Sequence, residues 1–102
     1  MFDIVIGPTS GTDSAICGQI TVTTAGTEVQ GSGVNLANGV YIKALAGNTG
    51  KVYVGNDGAG AISATTGFEL SQGDMILIQV GNLSQLWFDA ATSGDKLCWI
   101  KA

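Results

Sequence analysis

Apolar and polar residues alternate along several short stretches of this chain. The clearest stretch is "GVYIKALAGNTGKVYVGNDG", residues 39–58, which alternates, breaks at a turn and alternates again. A period of two is typical of a strand with one face on a core. Similar β-branched and aromatic runs recur at a spacing of roughly 8–12 residues, and 16 glycines help to separate them. The pattern predicts an all-β protein, an antiparallel β-sandwich of about eight strands with a jelly-roll-like arrangement.

The predicted strands account for most of the chain, which forms one domain, 1–102. Residues 1–14 are a candidate N-terminal arm that reaches a neighbouring subunit. Helix is expected for one turn at most, near 81–85. The strands are expected at 2–6, 15–24, 27–30, 40–46, 51–56, 61–66 running into 68–70, 74–80, 86–90 and 96–102.

The opening stretch further predicts a β-hairpin over residues 40–56. Gly50 is expected in the left-handed conformation of a three-residue hairpin turn, because glycine has no Cβ to clash there. The resulting register pairs Leu45 with Tyr53 and gathers the aliphatic residues on one face. The opposite face then carries Tyr41, Lys43, Leu45 and Tyr53.

The two tryptophans allow two interpretations. In "LWFDA" Trp87 shares a face with Asp89, whereas in "KLCWIKA" Trp99 lies with Leu97. Both rings are expected half-buried at the edge of the sandwich, or Trp87 joins the outward tyrosines as an aromatic platform for a partner. Sugars stack on the same residue types, so the platform alone leaves protein and carbohydrate ligands open. The candidate interface residues are Tyr41, Lys43, Leu45, Tyr53 and Trp87.

Candidate catalytic and metal-binding chemistry is sparse. The chain has no histidine, which excludes a histidine base or triad. Most carboxylates lie in or beside turn sequences, where Asp caps the backbone. The loop "GNDGAGA" lacks the ligands of a calcium loop and the Lys-Ser/Thr of a phosphate loop. Cys17 and Cys98 are expected as reduced thiols, with a disulfide as the alternative. We therefore expect no enzymatic activity, no cofactor and no metal.

The charge of the chain argues against two classes of partner. The net charge is −4, arginine is absent and the four lysines form no run. Nucleic acid and anionic membranes are attracted by basic patches, so neither is expected as a partner. The sequence also shows no secretory signal or spanning segment, and folding in a cytoplasm is expected. Only 12% of the residues are charged, which favours surfaces that become buried in an assembly.

Several segments resemble small virion structural proteins of tailed bacteriophages. The similar segments are "TVTTAGTEVQ", "GVYIKALAGNTGKVYVGNDG" and "GFELSQGDMILIQVGNLSQLWFDAATSGDKLCWI", which lie within residues 21–100. The resemblance implies a compact sandwich or jelly roll on the virion, often a trimer that decorates or cements the capsid. The implied partners are further copies of the chain, as a homotrimer, and the major capsid protein. The alternative is a tail, neck or fibre-associated module that binds a receptor or a carbohydrate.

Overall fold

Two antiparallel four-stranded sheets make up the described part of the chain, which has almost no helix. The computed structural model describes residues 15–56, 62–63 and 65–102. Sheet I has the strand order β1-β8-β3-β6, and sheet II has the order β2-β7-β4-β5. The all-β prediction is confirmed. The strands are β1 (Cys17–Thr21), β2 (Val29–Gln30), β3 (Val40–Ala44), β4 (Val52–Gly55), β5 (Phe68–Leu70), β6 (Met75–Ile78), β7 (Trp87–Ala90) and β8 (Lys96–Lys101), with one 3-10 turn at Leu83–Gln85.

One apolar core receives side chains from both sheets. The predicted alternation holds in β3, where Val40, Ile42 and Ala44 are fully buried. Each fully buried aliphatic or aromatic side chain stabilises the fold by about 1.5–3 kcal/mol relative to exposure. The inward strand residues of the core cluster are Ile20, Val40, Ile42, Ala44, Leu97 and Trp99 from sheet I, and Val52, Val54, Leu70, Phe88 and Ala90 from sheet II.

The predicted hairpin over residues 40–56 is wrong. Strand β3 pairs with β6 and β8, whereas β4 pairs with β5 and β7, so the two strands lie in different sheets. Leu45 and Tyr53 are therefore not paired. Alternation correctly identified the buried side of each strand, but it carries no information on which strand lies next to it.

The segment that crosses between the sheets is bound to the turn before β8. The carboxylate of Asp95 accepts the backbone N–H groups of Thr49, at 3.0 Å, and Gly50, at 2.8 Å. The side chain of Asn48 exchanges two hydrogen bonds with the backbone of Lys96. Gly50 does not have the positive φ that the hairpin turn required. These contacts hold the segment as a crossover between layers.

Three further predictions, for a strand at 61–66, a helical turn and the N-terminal segment, have different outcomes. The stretch predicted as a strand at 61–66 forms a turn and a bend over its described residues, closed by the N–H of Gly67 donating to the carbonyl of Ser63 at 2.8 Å. The expected helical turn is confirmed and carries a capping box between Asn82 and Gln85. The predicted strand at 2–6 and the candidate arm at 1–14 lie outside the described residues.

Candidate interaction surface

The outward side chains of sheet I form two rows that cross all four strands. Strand register aligns one row as Cys17, Ile100, Tyr41 and Leu77. It aligns the next row as Gln19, Cys98, Lys43 and Met75. Together these eight residues define the outer face of sheet I.

Large apolar side chains on this face are open to solvent. Met75 is 61% exposed, Ile100 47%, Leu77 43% and Tyr41 36%. They lie on three adjacent strands, which are spaced about 4.8 Å apart in a sheet. The apolar side chains are therefore contiguous rather than scattered. The largest apolar patch of a small protein is often its functional surface, so this face is the candidate interaction surface.

A hollow of about 340 Å³ lies within the outer face of sheet I. Its walls include Ile100, Tyr41 and Met75, and its lining also includes Cys17 and Cys98. The hollow forms where the small cysteine side chains lie beside these larger ones. Its size, at the lower end of the range for ligand pockets, suits one or two side chains of a partner.

The charge on this face has one sign. Lys43 is the only charged residue among the eight, and it lines the hollow. Lys96 continues the same alternation along β8 and is also exposed. No carboxylate belongs to the outer face of sheet I as defined. A complementary partner would therefore offer apolar side chains together with a carboxylate near Lys43.

The two cysteines lie on this face as free thiols. Cys17 is opposite Ile100, and Cys98 is opposite Gln19, so the cysteines are diagonal neighbours on adjacent strands. Diagonal neighbours lie about 7–8 Å apart, or somewhat less between Cβ atoms. A disulfide needs Cβ atoms about 3.5–4.5 Å apart. The register therefore favours the free-thiol expectation over the disulfide alternative.

The outward side of sheet II differs because other parts of the chain cover it. Tyr53 was expected to face solvent, but it is only 5% exposed. Gly67 lies directly over Tyr53, since a Cβ built on this glycine would be 2.7 Å from the Tyr53 Cβ. The carboxylate of Glu28 accepts the N–H of Ile62 at 3.2 Å, which helps to hold this covering segment in place.

A second cover on sheet II comes from the turn after β1. Asp89 is buried, and its Oδ1 accepts the N–H of Gly26 at 3.0 Å. Trp87 lies on the same outward side and is half-buried. The predicted aromatic platform is therefore not open on sheet II, because Tyr53 is buried and Trp87 half-buried, although Phe68 on the edge strand β5 is 57% exposed.

The five predicted interface residues are not brought together. Tyr41 and Lys43 lie side by side in the outer face of sheet I, as expected. Leu45 follows the end of β3 and is half-buried in the crossover, while Tyr53 and Trp87 belong to sheet II. The predicted shared face is wrong, because it depended on the hairpin that does not form.

Sequence reasoning missed the most exposed members of the face. Met75 and Leu77 alternate with buried or half-buried neighbours along β6, and Ile100 does so along β8. Alternation alone gives each of them an outward direction. It could not show that β6, β3 and β8 are adjacent, and this adjacency is what creates the patch.

The described residues form neither a candidate metal cluster nor a membrane-spanning helix. Across residues 15–56, 62–63 and 65–102, no cluster of three or more cysteine or carboxylate side chains could hold a metal ion. The buried carboxylates of Asp89 and Asp95 accept backbone N–H groups, which is a structural role. No helix in this part of the chain is long and apolar enough to cross a membrane.

Comparison with known proteins gives no relative: no family model, no curated protein and no solved structure matches this chain.

Proposed function

We propose that this protein is a bacteriophage virion structural protein, a capsid decoration or cement protein that stabilises the head shell. The proposal includes a jelly-roll-like β-sandwich and a place on the virion after assembly in the host cytoplasm. The observation that carries it is the outer face of sheet I, which is apolar, open and free of carboxylates. The resemblance of segments within residues 21–100 to small phage virion proteins supports the placement on a phage particle.

The stabilising mechanism is mass action. A subunit that binds the assembled shell but not its separated parts lowers the free energy of the shell. Four strands of about five residues give this face a footprint of roughly 300 Å². A standard stable interface buries about 800 Å² on each partner. One face alone therefore binds weakly, and many copies must act together through multivalency.

Self-association and contact with the major capsid protein both belong to the proposal. The resemblance to phage proteins implies a homotrimer, and the edge pairing argued in the next subsection is a twofold alternative to it for the purified chain. Contacts between copies and contacts with the shell need different surfaces of the same subunit. The outer face of sheet I is assigned to the shell, which leaves the edges of the sheets for contacts between copies.

The receptor- or carbohydrate-binding alternative has less support from the geometry. Sugar sites combine aromatic rings with polar groups that fix the hydroxyls. Tyr41 lines the hollow, but its lining contains no Asp or Asn. The same hollow suits the apolar side chains of a protein partner.

The test compares phage particles that contain the protein with particles stripped of it. Stripped heads should open at a lower temperature than complete heads. When the salt is diluted, they should also open at a higher salt concentration. Adding back the protein should restore the resistance of the heads to both treatments. Location of the protein in the tail or neck, or equal robustness of stripped heads, would contradict the cement function. Binding to host cells or glycans in place of the shell would favour the alternative.

A further inference from the structure

Strand β6 forms an edge of sheet I, and in the described part of the chain it pairs only with β3. Its sequence and the residues that follow, 75–80, read Met-Ile-Leu-Ile-Gln-Val without a charge or a proline. Soluble proteins usually protect edge strands with charges, prolines or short length. Sheet II follows this rule, because β2 has two residues and β5 has three, including Glu69. The other edge of sheet I, β1, also lacks charge and proline, but its sequence Cys-Gly-Gln-Ile-Thr is less apolar and includes a glycine. Strand β6 is therefore the described edge strand best suited to pairing with another strand.

The backbone of β6 has a defined open side. The N–H of Ala44 donates to the carbonyl of Asp74 at 2.9 Å. Hydrogen-bonded and non-hydrogen-bonded pairs alternate along an antiparallel ladder. Ile76 and Ile78 consequently bond to β3, whereas the N–H and C=O groups of Leu77 point to the open edge. The N–H and C=O groups of Met75, two residues before Leu77, point to the same open edge.

We propose that β6 pairs antiparallel with β6 of a second copy of this chain, centred on Leu77. Leu77 of each copy then exchanges two main-chain hydrogen bonds with the other. Met75 of each copy faces Gln79 of the other, and the whole contact holds about six such bonds. The two copies are related by a twofold axis, which is the commonest symmetry of homo-oligomers.

A second copy fits this edge because the edge is uncharged. Like charges placed opposite each other destabilise a strand pair. Antiparallel self-pairing brings the central residue opposite its own equivalent and each flanking residue opposite another residue of the same strand. Here the central cross-strand pair is Leu77 with Leu77, an apolar contact between side chains that are 43% exposed in the single chain. Self-pairing therefore covers apolar surface and brings no charges together.

The pairing also enlarges the outer face of sheet I. The row that ends at Leu77 in one copy continues into the same row of the other copy, so eight strands share one surface. The footprint rises from roughly 300 to roughly 600 Å². This consequence bears on the proposed function, but the pairing itself does not rest on it.

The test substitutes Leu77→Pro. Proline lacks the N–H, and an edge strand tolerates it where that N–H points away from the ladder. We expect the wild-type chain to be a dimer at high micromolar concentration in native mass spectrometry and sedimentation. Leu77→Pro should be a monomer with an unchanged far-ultraviolet circular dichroism spectrum. Leu77→Ala keeps the N–H and should remain a dimer with a Kd raised by about tenfold or less.

Gln19→Pro on β1 is the matched control. The N–H of Lys101 donates to the carbonyl of Ile16 at 2.9 Å, so the alternation turns the N–H of Gln19 to the opposite edge of the same sheet. This variant should remain a dimer. Loss of association in both proline variants would indicate a head-to-tail contact between β6 and β1, the kind that closes a trimer, and would overturn the twofold pairing. A monomeric wild-type chain or a dimeric Leu77→Pro variant would overturn it as well.

Amide hydrogen exchange tests the pairing without any substitution. The N–H of Leu77 should become protected as concentration rises through the Kd, while the N–H of Gln19 should not. Equal exchange of Leu77 at low and high concentration would contradict the proposal. Both experiments use the purified chain, so their failure is separate from failure of the particle assay.

Discussion

The indole ring of Trp99 lies directly against the backbone of Gly18 on the neighbouring strand. A Cβ built on Gly18 would be 2.9 Å from the indole Nε1. The two residues are cross-strand partners, and Trp99 is buried in the core cluster. Glycine at this position therefore makes the space in which the largest side chain of β8 packs.

Gly18→Ala is expected to destabilise the fold by about 1–3 kcal/mol, because the added methyl group forces the Trp99 ring from its position. Urea denaturation followed by tryptophan fluorescence measures this change. Gly33→Ala is the control, since nothing lies within 4 Å of a Cβ at that position. Equal stability of the two variants would show that the ring has room to move.

The crossover between the sheets gives a second prediction. The buried carboxylate of Asp95 accepts the N–H groups of Thr49 and Gly50, and Asp95→Ala removes both hydrogen bonds. We expect a loss of about 2–4 kcal/mol in the free energy of unfolding, because hydrogen bonds to charged groups are the stronger ones. Asp74→Ala, which removes one acceptor in an exposed turn, should cost less than half as much. A similar loss in both variants would contradict a special role for Asp95.

The thiols provide a third prediction. Two thiols per chain should react with a thiol reagent in denaturant without prior reduction. In the folded protein Cys17 should react faster than Cys98, because Cys17 is exposed and Cys98 is half-buried. Single variants Cys17→Ser and Cys98→Ser assign the two rates. No reaction in denaturant would show that a disulfide had formed despite the diagonal register.

A fourth prediction concerns the proposed contact with the shell. Ile100→Lys places a charge in the middle of the apolar row and should reduce binding to stripped heads by at least about tenfold. Its thermal stability should change little, since Ile100 is already 47% exposed. Thr27→Lys adds the same charge at an exposed position outside sheet I and should bind normally. Normal binding by Ile100→Lys would exclude this face as the shell contact.

Side-chain alternation was enough to predict the core-facing side of β3 and β4. Val40, Ile42 and Val52 were assigned correctly to the core, because a period of two is a local property of the chain. The expectation that Trp99 is half-buried at the edge of the sandwich is wrong, because its ring is buried in the core. The choice of neighbouring strand was not local. The turn-like Gly-Asn-Thr-Gly sequence suits a hairpin, yet Asp95, 45 residues beyond Gly50, binds the turn and holds the crossover.

The candidate site was predictable to the same extent. Tyr41 and Lys43 were correctly directed away from the core, and so was Tyr53 on its own strand. Burial of Tyr53 depends on Gly67 and the segment held by Glu28, which no periodicity in β4 can reveal. The patch on sheet I likewise depends on the order of its strands.

Strand β8 lies at the centre of sheet I, between β1 and β3, although it follows both of them in the chain by many residues. Ile100 of β8 is the cross-strand partner of both Cys17 and Tyr41, so the apolar row is incomplete until β8 has paired with β1 and β3. On a ribosome the row therefore forms only after β8 has been synthesised. A chain dominated by such long-range pairings folds in milliseconds to seconds, after these strands have emerged. A nascent chain that lacks β8 therefore does not present the apolar row, and association through this face requires the assembled sheet.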